Sequence, residues 1–197
     1  LEGRKPPLDQ LVDISLEKMN SKNKPFFLLI EGSQIDWGGH DNKLNYVTSE
    51  FIEFNKTIKT VIDFAKNDGN TLVIVTADHE TGGLAITKGN LNKSRVFGRF
   101  NTKGHSATMV PVFSYGPYSE LFTGIYENTA IKQTTYNNII RPTWFDIHGE
   151  LLPWARKRLY NGNWDTYLDF RVEGMECIYP TIPRIVSFSS FFYMGHI

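Results

Sequence analysis

Between Asn45 and Asp68 the apolar residues Val47, Phe51, Phe54, Ile58, Val61, Ile62 and Ala65 recur every three or four positions, and Gly69 follows where a left-handed cap belongs. What flanks this amphipathic helix limits the fold. Pro25 to Ile30 (PFFLLI) is an apolar run short enough for a strand buried on both faces, and Thr71 to Thr76 (TLVIVT) is a β-branched run of similar length. Strand, helix, strand is a βαβ crossover, right-handed in nearly all proteins, and it makes the sheet parallel. The fold class expected is therefore α/β with a mostly parallel central sheet.

The remaining segments extend that pattern. Leu8, Leu11, Val12, Leu16 and Met19 stand at helical spacing behind Pro6 and Pro7, a helix start signal. A short strand is expected over Leu84 to Thr87, a polar loop from there to Lys103, a strand over Met109 to Tyr115, and a helix from Glu127 to about Ile140. With 197 residues and 41% hydrophobic content the chain is the size of one domain. Zero formal net charge gives no basic stripe, which argues against nucleic acid as a partner. No apolar run is long enough to cross a bilayer. The first residue is Leu rather than Met, so the expectation is that the true N-terminus, with any signal peptide, is missing.

Chemistry-bearing residues gather in three places. Glu31-Gly-Ser-Gln-Ile-Asp36-Trp-Gly-Gly-His40 follows the first strand, Asp78-His79 follows the second, and a Gly-His pair stands at Gly104-His105. Carboxylates and imidazoles are the ligand set of zinc, and all-oxygen surroundings suit magnesium. The single cysteine, Cys177, is remote from all three, which excludes a closed Cys-type structural zinc site and leaves an open catalytic one as the better reading. Each place has a duller explanation: Asp78-His79 alone could be a loop pair bonded to backbone, and Gly38-Gly39 argues that Asp36 and His40 sit on a turn rather than a helix. Two of the places nevertheless stand directly after apolar strands, where open α/β sheets collect their ligand-binding residues, and coincidence is the weaker hypothesis. Trp37, in the same glycine-rich loop, reads as a packing or rim residue before a substrate contact. His148 and His196 have no carboxylate partner at ligand spacing and are assigned nothing.

The wording of these segments is specific. FFLLIEGSQIDWGGHDN, DFAKNDGNTLVIVTADHETGG, and GHSATMVPVFSYGP with ELFTGIYENT resemble the C-terminal half of the alkaline phosphatases, over roughly Pro7 to Ile140. The resemblance implies a partial α/β/α sandwich of that type. It implies that Glu31 is a magnesium ligand, that Asp36, His40 and His105 bind a first zinc, and that Asp78 and His79 bind a second, giving two zinc ions and one magnesium in the full-length enzyme. It further implies hydrolysis of phosphate monoesters through a phosphoseryl intermediate. Two metals about 4 Å apart suit such an in-line displacement, because they stabilise both the attacking and the leaving oxygen. The family is usually exported, to the periplasm or outside the cell, and often dimeric, so a homodimer of the full-length enzyme is the expectation.

The departures from the family matter equally. Its nucleophile lies upstream in an Asp-Ser dipeptide, with a bridging Asp, a Thr of the magnesium site and a phosphate-clamping Arg; no Asp-Ser dipeptide occurs in this sequence. The expectation is a C-terminal fragment, inactive by itself, with residues 1–140 part of the catalytic domain and residues 141–197 a tail without recognised resemblance. That tail, with Trp144, Trp154, Trp164 and the aromatic cluster Phe188, Phe191, Phe192 and Tyr193, fits a small appended module and, somewhat better, sequence never selected to fold with the rest. Related metalloenzymes that act on phosphodiesters, sulfate esters or sugar phosphates share the ligand set and stand as alternatives, as does an inactive zinc-binding fragment.

Overall fold

The structure, a computed structural model, describes residues 6–135 and 184–189. In chain order the elements are helix α1 (Leu8–Asn20), strand β1 (Phe27–Glu31), helices α2 (Gln34–His40) and α3 (Leu44–Asp68), strands β2 (Thr71–Thr76), β3 (Glu80–Thr81), β4 (Ala85–Asn90), β5 (Arg95–Arg99), β6 (His105–Ser106) and β7 (Phe113–Tyr115), helix α4 (Thr129–Thr135) and strand β8 (Arg184–Ser189).

Four strands form the main sheet in the order β1-β8-β2-β7, with β8 parallel to both β1 and β2 and β7 antiparallel to β2. The sheet is mostly parallel, as the crossover pattern requires. Its neighbours differ from the simplest reading of that pattern: β1 and β2 do not pair, because β8 lies between them. Leu28 and Val73 both register with Val186, whose side chain is fully buried.

Alternation along the strands sorts the core onto two faces. Ile30, Val73 and Val186 pack under Val12 and Leu16 of α1 and Val47, Phe54, Val61 and Ala65 of α3. On the opposite face Leu72, Ile74 and Ile185 pack against Phe122, with Val112 and Ile131 of α4 at the margin. Helix, sheet and helix thus make three layers, the arrangement that covers both faces of a parallel sheet.

Local signals explain the element ends. Gly69 caps α3 at φ 67°, donating its N–H to the Ala65 carbonyl at 2.9 Å. No side chain near Pro7 caps α1; instead Glu53 of α3 accepts from the Leu8 N–H at 3.0 Å, so the start of one helix is tied to the flank of the other. β8 enters the sheet through Arg184, whose guanidinium pairs with Asp68 and whose N–H donates to Asn70 O at 2.9 Å.

Three expectations need correction. Gln34 to His40 is a helix, not a turn. The stretch expected to be a polar loop contains a hairpin, β4 with β5. The strand expected over Met109 to Tyr115 is confined to Phe113–Tyr115. The last part of the helix expected to run to Ile140 lies outside the described residues, as do His148, His196 and Cys177.

Candidate metal centre

The site lies at the carboxyl ends of β1 and β2, where the chain leaves the sheet and helix and loop side chains converge. α2 starts three residues after β1 and carries Asp36 and His40 one turn apart, on the same face. The glycines that argued for a turn serve close packing instead. A Cβ on Gly38 would come within 2.9 Å of the Val47 backbone nitrogen, and one on Gly39 within 2.9 Å of the Thr81 carbonyl. Only glycine lets α2 lie flush against both α3 and β3.

After β2 the chain runs through Ala77, Asp78 and His79 into β3, which pairs antiparallel with β6, Thr81 opposite His105 and Glu80 opposite Ser106. This two-stranded ribbon brings the third sequence cluster to the first two. Asp36, His40 and His105 each offer a ligand atom, all within 4.8 Å of one another. The His40 Nε2 lies 3.3 Å from Asp36 Oδ2 and 3.3 Å from His105 Nε2, and His105 Nε2 lies 3.8 Å from Asp36 Oδ1.

The proton positions follow from the partners. His40 Nδ1 lies 2.5 Å from the Lys103 carbonyl, which can only accept, so Nδ1 carries a proton and Nε2 is the nitrogen turned toward Asp36 and His105. Acceptors that converge in this way repel one another unless a proton or a cation lies among them. The donor set, one carboxylate and two imidazoles, is chemically suited to zinc.

The other sequence-predicted residues lie outside this triad. His79 stacks on His105 with ring centroids 3.5 Å apart, and its Nε2 is 3.4 Å from Asp78 Oδ2. Asp78 and His79 therefore form an adjacent pair rather than part of the triad. Glu31 is exposed at the tip of β1 and likewise stays outside it. Trp37, 64% exposed on α2, stands at the rim.

Residues 2–99 match the alkaline phosphatase family. Alkaline phosphatase 3 of Bacillus subtilis (strain 168) is 30% identical over 201 residues, an overlap of 66% of this chain and 44% of that protein. The alkaline phosphatase of the Antarctic bacterium TAB5 aligns in structure with a TM-score of 0.63 at 47% identity, over 68% of this chain and 41% of that one. The matched part of this chain belongs to the alkaline phosphatase family. A mutant of the TAB5 enzyme, solved with Mg bound in its M3 site, aligns with a TM-score of 0.62 at 46% identity, over 68% of this chain and 42% of that chain. The chain spans less than half the length of these alkaline phosphatases.

Two further residues of this alkaline phosphatase segment hold the site together and went unassigned in the sequence. Glu80, 3% exposed, accepts from the Gly83 N–H at 2.8 Å and from the Ser106 hydroxyl, bolting the turn after β3 to β6. Thr81, fully buried, donates its hydroxyl to Asp36 Oδ1 at 2.5 Å. Both lie inside the motif that signalled the site, TADHETGG. Their roles depend on the pairing of β3 with β6, which no local pattern in either segment announces.

Proposed function

We propose that this chain carries most of the metal-binding half of an alkaline phosphatase active site, whose reaction is hydrolysis of phosphate monoesters through a phosphoseryl intermediate. Asp36, His40 and His105 would hold the first zinc, Asp78 and His79 would contribute to the second, and Glu31 would contribute to a magnesium site. The observation that carries the reading is the convergence of the Asp36, His40 and His105 ligand atoms at the carboxyl end of a parallel sheet. When bound, such divalent cations neutralise the charge on a phosphoryl group and stabilise the attacking and leaving oxygens.

The chain's own residues prepare that chemistry. The Lys103 carbonyl fixes the tautomer and plane of His40. Packing of Gly39 on Thr81 sets the separation between α2 and the ribbon that bears His105. Asp36, only 15% exposed, supplies the one negative charge of the triad in a partly dehydrated place, where it attracts a cation more strongly than it would in water.

No Asp-Ser dipeptide occurs among the 197 residues, so the chain by itself is proposed to turn over no phosphate monoester. The test is calorimetric titration of the purified chain with zinc, alongside a p-nitrophenyl phosphate assay with zinc and magnesium supplied. Zinc binding that disappears in His40→Ala, without turnover, is the expected result. Absence of zinc binding overturns the metal assignment, and turnover that survives in His40→Ala but is lost on purification identifies a contaminant. By family membership the proposal extends to an exported, dimeric full-length enzyme, readable by cell fractionation and sedimentation.

A further inference from the structure

The balanced net charge of the chain hides a segregation. From Thr81 to Ser119 the sequence holds no aspartate or glutamate, yet Lys88, Lys93, Arg95, Arg99 and Lys103 all fall within it. Lys88, Lys93, Arg95 and Arg99 stand exposed on the β4–β5 hairpin or its turn, and among the described residues none of these four has an ion-pair partner. The strand register gathers three of them. Asn90 lies opposite Arg95, Lys88 opposite Phe97 and Ala85 opposite Arg99, and both opposed residues and alternate residues along a strand share a face. Lys88, Arg95 and Arg99 therefore surround Phe97, 48% exposed, on one face of the ribbon. The other face turns to the body at its base, where a Cβ on Gly98 would lie 2.7 Å from Leu84 Cδ1 and 3.4 Å from Leu44 Cδ1. At the tip Leu91 is 98% exposed, in a turn closed by Asn90 Oδ1, which accepts from the Lys93 N–H at 3.0 Å.

We propose that the β4–β5 hairpin is a peripheral docking element for an anionic lipid surface. Apolar side chains left in water and rimmed by polar ones mark interaction sites, and here the rim is purely cationic. An anionic bilayer answers both features at once. Its headgroups neutralise Lys88, Lys93, Arg95 and Arg99 without drying them, and its acyl boundary takes Leu91 and Phe97. A nucleic acid would engage the same cations but leave Leu91 in water. A protein partner would have to set an acid opposite each of four separate cations. The hairpin also sits where docking has a consequence. Its base closes on the turn after β3, with the Asn101 N–H donating to Gly82 O at 2.9 Å, next to the ribbon that carries His105. A six-residue strand spans about 20 Å, so docking through the tip brings lipid within about that distance of the candidate metal centre. The docking itself depends neither on zinc nor on the phosphatase reading.

The test is flotation of the full chain with vesicles at about 0.01 M salt, where charges act over roughly 30 Å, and at about 1 M, where they act over roughly 3 Å. The expected result is binding to vesicles of phosphatidylcholine with phosphatidylglycerol, none to phosphatidylcholine alone, and release by salt. Each basic side chain beside an anionic membrane contributes roughly fivefold in affinity. Arg95→Gln with Arg99→Gln is therefore expected to weaken vesicle binding roughly 25-fold, and Lys88→Gln with Lys93→Gln by a similar factor. Leu91→Gln removes the apolar tip and is expected to weaken it about tenfold, while leaving retention on a heparin column unchanged. The arginine pair should lower both readouts. Vesicle binding that Leu91→Gln leaves intact overturns the lipid assignment in favour of a general polyanion site, nucleic acid included. Binding that survives both cation pairs places the contact outside the hairpin and overturns it as well. So does a chain that ignores anionic vesicles, and low-salt self-association in sedimentation would then assign the hairpin to a second copy. The substituted side chains are all exposed, and folding is checked by circular dichroism. The two cation pairs report independently, so misfolding of one leaves the other to decide.

Discussion

At the scale of single residues, the strongest constraint on the site outside its candidate ligands is Glu80. A carboxylate 3% exposed is costly to bury unless its oxygens are occupied, and here one accepts from the Gly83 N–H, with Leu84 N at 3.4 Å, while the other accepts from the Ser106 hydroxyl. Glu80→Ala removes the acceptor from all of these donors at once. Each donor stranded without a partner costs about 1–3 kcal/mol, so the urea midpoint of the chain is expected to fall clearly. Zinc affinity should fall with it, because the same ribbon carries His105 and Thr81. An unchanged midpoint would show that water replaces the carboxylate, and would remove Glu80 from the account of how the site is held. The opposite case is Lys59 with Asp63 on the exposed face of α3, an ion pair in high dielectric. The Asp63 carboxyl is held below its ordinary range by the hydrogen bond from Lys59. Lys59→Ala is nonetheless expected to leave the same midpoint essentially unchanged, because water screens the pair.

At the scale of elements, α2 shows where local rules and tertiary contacts disagree. Gly38-Gly39 reads as a turn because glycine is a poor helix former, and Gly→Ala inside a helix ordinarily stabilises by about 0.5–1 kcal/mol. In this fold the helix forms anyway, since its flat side allows α2 to touch α3 and β3 at backbone distance. Gly39→Ala would place a methyl group 2.9 Å from the Thr81 carbonyl and 3.1 Å from its Cβ, and neither can swing away as a flexible side chain could. Overpacking of that kind costs about 1–3 kcal/mol, which outweighs the propensity gain. The expected outcome is a lower melting temperature together with weaker zinc binding, because Asp36 and His40 move away from His105. A melting temperature raised by the substitution would mean that α2 and β3 do not pack as described. The same contrast explains what could be read in advance. α3 was legible because its apolar period and its Gly69 cap agree. The β4–β5 hairpin was not, since both strands are largely exposed and carry no alternation that marks a buried face. The six candidate metal ligands were legible as residue types after strands. Their division into a triad and a pair was not, because it depends on the β3–β6 pairing.

At the scale of the whole molecule, the sheet depends on a strand that its sequence neighbourhood gave little reason to expect. The βαβ pattern made β1 and β2 parallel, but which strand lies between them is a non-local choice, and the run RIVSFS at Arg184–Ser189 stands in a region without clean periodicity. In the fold that run is central. Val186 is fully buried, registers with Leu28 on one side and Val73 on the other, and belongs to the same core as α1 and α3. β1 and β2 in turn deliver the Glu31–His40 and Asp78–His79 segments at their carboxyl ends, so the spacing of the candidate ligands is set by the width of β8. Val186→Asp places an unpaired charge in this core, where burial of an ionised carboxylate without a partner costs several kcal/mol even after relaxation. Loss of the folded state outright is the expected result, since the net stability of a domain is only about 5–15 kcal/mol. Limited proteolysis followed by mass spectrometry separates the outcomes. In the wild type, residues 184–189 should survive digestion together with residues 27–31 and 71–76. In Val186→Asp all three segments should become cleavable at once, and zinc binding should vanish. If Val186→Asp instead keeps residues 27–31 and 71–76 protected, β1 and β2 hold their places without β8, and the separation of the two ligand-bearing loops must be fixed by α2 and α3 alone.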